Sequence, residues 1–299
     1  MVYLQIFYNF VVKDIKKKDT IMETQNDTEN NDSQLAEVIP EQVQELSHTD
    51  KIVGIFTEPT ATYKSISLFP LRTIDWLLPV VLLLVIVSLS VFVSMTNPIL
   101  RAESKKIRYE ATEKQLDAMV KSGTLTEEQA SEQMKAAERN LELMSSPTAQ
   151  IFASISIIVF GLIFFFVISL VYFALSKYVL HGNGGYKSVL VASGMTSYIS
   201  MIQVVLVTIL SLVTNSWYKD LSIGSFMGMG KEELLGFTLS KLDPITIWAY
   251  VILGIGLAKL FKSEETKKYI IMVFALWIGW SIIAFILAKT IPFLSFLAG

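Results

Sequence analysis

Five stretches of this chain, 76–96, 150–176, 188–214, 244–260 and 269–290, are apolar almost throughout, and their only charged residues are Lys259 and Lys289, near their ends. Each is close to the roughly 20 residues that a helix needs to cross about 30 Å of hydrocarbon. A chain in that environment must bond every backbone N–H and C=O within its own segment, which selects helices. The sequence therefore predicts an all-α integral membrane protein, with five transmembrane helices and a helical hairpin inserted between the first and second. Trp76, Tyr172, Tyr178, Trp217, Tyr218, Trp248 and Tyr269 gather near the ends of these stretches, where amphipathic rings meet the lipid head groups. Composition agrees, with 52% hydrophobic and only 17% charged residues and a mean hydropathy of +0.51.

Several functions are excluded by what the chain lacks. The net charge is -2 and no basic run is interleaved with aromatics, so nucleic acid is not an expected partner. Cysteine is absent, which removes disulfides, thiol nucleophiles and thiolate metal sites. The two histidines, His48 and His181, lie in different polar segments, too few for a zinc site. No cofactor, metal or catalytic residue is expected.

The polar segments have distinct characters. Residues 1–21 are apolar and then basic, the reverse of a secretory signal, and are expected to be an upstream mis-start before Met22. Residues 1–50 as a whole read as a disordered tail, acidic from Glu23 to Asp50 and without Lys or Arg there. Residues 51–75 read as an interfacial amphipathic segment, with Thr57 as a helix cap, Pro59 in the first turn, and Phe56, Tyr63 and Ile66 on a similar side. The membrane domain is 76–299. Within it, 97–149 is expected to be an extramembrane hairpin: a helix end at Gly123, a capping box from Thr126 to Gln129, and a seam of Ala130, Met134, Ala137, Leu141 and Met144 on the second arm. Tyr109, Leu116 and Val120 face it from the first arm.

Positive charge sets the expected orientation. Placing the N-terminus inside gives inner loops 177–187 and 259–268, with six Lys in 21 residues, against eleven Lys and Arg in 82 residues for the opposite arrangement. The expected location is the bacterial cytoplasmic membrane, N-terminus cytoplasmic and C-terminus outside.

Candidate positions in the membrane body are structural in kind. Asp243 before Pro244 can cap the fourth crossing and complement its dipole, and Asp75 before Trp76 can do the same for the first. Ser188, Ala192, Thr196 and Ser200 in the third crossing, and Gly254 and Ala258 in the fourth, permit close helix approach. Gln203 is the one amide deep in a crossing and is expected to bond a neighbouring helix or to line a cavity. The connection His181–Ser188, with Gly184 and Gly185, places Lys-Ser after a glycine cluster, but Tyr186 stands where a phosphate loop needs glycine. A tight glycine turn is the expectation there.

The strings IVGIFTEPTATYKSISLFP, GNGGYKSVLVASGMTSY and LDPITIWAYVILGIGLAKLFKSEETKKYIIMV, together with the five crossings, resemble the Yip domain family of Rab-interacting membrane proteins in its prokaryotic branch. The resemblance spans about 52–290 and is most telling from Asp243 through Trp248 and Gly254 to Gly256. It implies a five-crossing body, a cytosolic N-terminus and no enzymatic activity; eukaryotic members bind small GTPases. The expected function is membrane organisation or partner recruitment without catalysis, and the alternative is a small-solute transporter or permeability factor. The expected partners are the lipid bilayer, a protein taken up by 97–149 or by the N-terminal tail, and a second copy of the chain.

Overall fold

The computed structural model describes residues 44–143, 146–231, 233–291 and 294. The proposed mis-start and nearly all of the acidic tail lie outside the described residues, as does Met144 of the hairpin seam.

Among the described residues the fold is all-helical. Two short helices come first, α1 (His48–Thr57) and α2 (Pro59–Ser67). The long apolar helix α3 (Ile74–Thr96) leads into the hairpin arms α4 (Pro98–Lys121) and α5 (Glu127–Leu143). Next come α6 (Pro147–Ala174), prolonged by a π-helical turn over Leu175–Val179, and α7 (Tyr186–Thr214). Two short helices, α8 (Ile223–Phe226) and α9 (Leu234–Leu239), precede α10 (Pro244–Leu260) and α11 (Thr266–Thr290). Helices α3, α6, α7 and α11 are long and apolar enough to cross a membrane, and α10 is a shorter apolar helix. The chain is thus a multi-pass membrane protein.

Helix α7 is the hub of the bundle, packed against α3, α6 and α10, with α11 on the far side of α10 and α2 lying over α10. Between helices in lipid, close van der Waals contact replaces the hydrophobic drive, so small residues sit where backbones approach. At Gly194 a Cβ would stand 2.4 Å from the Trp76 Cα, and at Gly254 it would stand 2.7 Å from the Ile270 Cα. Those two glycines set the α7–α3 and α10–α11 spacings.

The core lies toward the end of the bundle that carries α1 and α2, called the near end below. Ile55, Tyr63, Val189, Met195, Ile199, Leu257 and Phe261 are all fully buried there. The segment 51–75 packs onto the protein: Tyr63 and Ile66 are buried, and Phe56 lies 5.6 Å from the Trp248 ring. Order also starts before residue 50, because Ser47 caps α1 by accepting from the Asp50 N–H. Thr57 does not cap a helix. It is the last residue of α1, its hydroxyl donates back to the Val53 carbonyl, and α2 starts at Pro59 with no side-chain cap.

The hairpin forms as an antiparallel pair. Gly123 takes a positive φ of 72° after α4, and the Thr126 and Gln129 side chains each accept from the other's backbone N–H. Leu116 is buried at the seam, and Ala130, Met134, Ala137 and Leu141 are half-buried.

Candidate functional site

The first polar cluster ties α1 to the bundle at the near end. His48, Lys51 and Ile55 recur on one face of α1, so two ionisable groups point the same way as a core residue. Lys51 Nζ donates to Asp75 Oδ2 at 2.8 Å and also reaches Glu45 Oε1 at 3.5 Å. His48 bridges Asp75 Oδ1, 3.1 Å from Nδ1, and the Tyr198 hydroxyl, 2.9 Å from Nε2. Arg72 bonds Glu45 from the outside. Asp75 is 1% exposed and Lys51 3%. Two charges removed from water this completely are tolerable only when each is paired and hydrogen-bonded. The expected capping role of Asp75 is therefore corrected: it lies inside α3, whose first turn has no side-chain cap, and its carboxylate turns inward to meet Lys51. The cluster is a clasp joining α1, α3 and α7.

The second cluster surrounds Asp243 at the opposite, far end. One carboxylate oxygen accepts from the Ile245 and Thr246 N–H groups and so caps α10, with Pro244 in the first turn. The other accepts from the Leu221 N–H at 3.1 Å and from Gln203 Nε2 at 2.6 Å. Gln203 also donates to the Thr246 hydroxyl at 3.1 Å. The half-buried amide of α7 is thus committed to the start of α10. Nearby, Lys231 lies 3.1 Å from Asp220. Partial burial tends to raise the Asp220 carboxyl, but the Ser222 hydroxyl and the Lys231 ammonium outweigh it and hold the group below the usual carboxylate range.

The glycine connection between α6 and α7 lies at the near end. A Cβ at Gly182 would stand 2.2 Å from the Tyr269 hydroxyl, and one at Gly184 2.7 Å from the Phe261 ring. The Asn183 N–H donates to the Phe261 carbonyl, which pins this connection to the one between α10 and α11. In place of a tight turn the chain runs as an irregular strap, and Gly185 directly precedes α7. His181 is exposed and takes a positive φ of 54°.

Of the other predicted positions, Trp248 meets Phe56, and Gly256 lies under the Tyr63 ring, 2.6 Å from where a Cβ would stand. Tyr63 donates its hydroxyl to the Ala192 carbonyl, and burial pushes that hydroxyl's pKa well up. The structure thus brings Gly256, Gly184 and Gly185 toward the near end, whereas Gln203, Asp243 and Pro244 meet at the start of α10, with Trp248 one turn further along and against Phe56. Sequence reasoning missed the near-end clasp of His48, Lys51, Asp75 and Tyr198. The signal available was a lysine and a histidine on the core-facing side of α1.

A family model, the Yip1 domain, matches residues 53–288, from within α1 to near the end of α11. No curated protein and no solved structure matches the chain.

Proposed function

The chain belongs to the Yip1 domain family, and from that membership we propose that it is a non-enzymatic membrane protein whose five-span body holds out the hairpin α4–α5 for a protein partner. The observation that carries this reading is that α5 has no buried residue. The body therefore gains little from it. The hairpin is tied to the body near its foot, where Asn97 Nδ2 donates to Asn215 Oδ1 at 2.9 Å and the Trp217 N–H donates to Glu103 at 2.8 Å.

Absence of catalysis is supported by what the buried acids do. Asp75 is spent on Lys51 and His48, and Asp243 on caps and Gln203. Neither carboxylate is left to act as a free acid or base. The rival reading as a solute path rests on Gln203, the Ser and Thr residues of α7 and the glycines of α10; the Gln203 amide is likewise committed, and Gly254 and Gly256 pack against Ile270 and Tyr63. The fifth span would be α10: its 17 residues reach about 26 Å at 1.5 Å per residue. It lies between α7 and α11 and packs against both. The lysines of the near-end connections, Lys177, Lys187, Lys262, Lys267 and Lys268, favour a cytoplasmic near end, with hairpin and C-terminus outside a bacterial cytoplasmic membrane.

One experiment tests orientation and recruitment together. The chain has no cysteine, so Ser131→Cys, at an exposed position of α5, can carry a membrane-impermeant photo-crosslinking maleimide applied to intact cells. We expect labelling without permeabilisation and a discrete crosslinked adduct. Labelling only after permeabilisation would reverse the orientation, and labelling with no adduct would remove the recruitment reading.

A further inference from the structure

At the near end, Asn183, Gly184, Gly185, Ser188 and Lys262 line an open hollow of about 420 Å³. Three of its polar features suit an anion. Helix α7 begins at Tyr186, and Gly185 before it makes no side-chain cap, so the N–H groups and partial positive charge at the start of a long helix lack a capping side chain. Ser188, 6% exposed, lines the hollow, and its hydroxyl has no hydrogen-bond partner among the described residues. Lys262 lines it as well. The neighbouring acids are already engaged, Glu264 by Lys259 and Glu265 by Lys268, and the Lys262 ammonium has no carboxylate partner among the described residues.

Gly185 is informative because packing does not require it. Gly182 and Gly184 must lack a Cβ to clear Phe261, but a Cβ at Gly185 would meet nothing within 4 Å. Its φ of -102° is open to any residue. With no side chain there, nothing caps the Tyr186 and Lys187 N–H groups, while the Ser188 N–H donates to the Gly185 carbonyl. Leu71 and Leu260 complete the lining with apolar surface. A free phosphate ion has no use for that surface, whereas the glycerol and first methylenes of a lipid do. Since α7 starts and α10 ends here, the hollow sits at head-group depth.

We infer that this hollow seats the phosphate of an anionic glycerophospholipid, held by the α7 N-terminus, the Ser188 hydroxyl and the Lys262 ammonium, with Leu71 and Leu260 against its glycerol end. The site is separate from the hairpin at the far end and stands or falls independently of partner recruitment.

The test uses the full chain in detergent, with lipid binding followed by native mass spectrometry and by thermal protection. Phosphatidylglycerol should bind at least about tenfold more tightly than phosphatidylcholine, and Lys262→Gln should remove about tenfold of that preference. Gly185→Asp is the sharper variant: an aspartate at this N-cap can cap α7 and keep or raise the melting temperature of the lipid-free protein. The same carboxylate occupies the anion's seat, so lipid protection should disappear. Equal protection of wild type and Gly185→Asp by phosphatidylglycerol would overturn the proposal, as would equal binding of the two lipids by wild type. Protection by inorganic phosphate without added lipid would assign the seat to a soluble phosphate and overturn the lipid assignment.

Discussion

The two ends of the bundle are built on different principles. From Ser188 to Ile199, α7 is buried at almost every position, because α1, α3 and α10 pack around it and Tyr63 of α2 bonds the Ala192 carbonyl. Beyond Met201 the same helix exposes Ile202, Val205, Leu206, Ile209 and Val213, a surface suited to lipid. The near end thus has an interior like that of a water-soluble domain, with a buried ion pair inside it, whereas the far end is a slimmer bundle carrying a hairpin. Buried groups with several partners transmit damage and surface groups do not. Equivalent polar deletions should therefore have very different reach at the two ends.

The largest effect is expected from Asp75→Ala. It leaves Lys51 buried without its closest counter-charge, and breaking such a pair costs about 3–5 kcal/mol. Thermal unfolding in detergent should fall accordingly, and limited trypsinolysis should cut at Lys64 or Arg72 as α1 and α2 come away. The double replacement Lys51→Met with Asp75→Leu removes both charges and should recover most of the loss. If Asp75→Ala unfolds like wild type and stays protease-resistant, the clasp does not hold the near end together.

A smaller effect, in the same region, is expected from Gly256→Ala. In an open helix this substitution would stabilise by about 1 kcal/mol. Here the sign should reverse, because the new methyl would stand 2.6 Å from the Tyr63 ring, which is fully buried and bonded to Ala192. Overpacking a filled core costs about 1–3 kcal/mol. The additional substitution Tyr63→Leu should absorb part of the strain, and a double-mutant cycle measures that coupling. Strict additivity of the two changes would show that the contact is not felt.

How much of this could be read from the sequence follows from the range over which each interaction acts. Helix α10 coincides with the expected 244–260 because apolar length, an Asp cap and Pro244 are all local signals. The Thr126–Gln129 box spans three residues and was equally legible. The clasp was not, because Lys51 meets Asp75 across 24 residues and His48 meets Tyr198 across 150. An aspartate at the start of a helix suggests a cap unless a buried cation is known to face it, and nothing local to Asp75 announces Lys51. The docking of α1 and α2 was hidden for a related reason. An amphipathic face is the same pattern whether it meets lipid or a protein groove, and the groove is visible only in distant contacts such as Gly256 beneath Tyr63 and Trp248 beside Phe56. The hollow likewise depends on Lys262 and Gly185 being brought together by the fold.

The smallest effect is expected at the tip of the hairpin, from Thr126→Ala. The substitution deletes the hydroxyl that accepts from the Gln129 N–H at 3.2 Å. Loss of such a cap costs about 0.5–2 kcal/mol of helix stability. Because α5 has no buried residue, that cost should stay local, and hydrogen exchange in the first turn of α5 should speed up severalfold. Exchange in α7 and the melting temperature of the body should stay at the wild-type level. The contrast with Asp75→Ala is the point of the experiment. If Thr126→Ala also lowered the melting temperature of the whole protein, the hairpin would be part of the cooperative fold, and the division into a packed near end and a separately stabilised projection would fail.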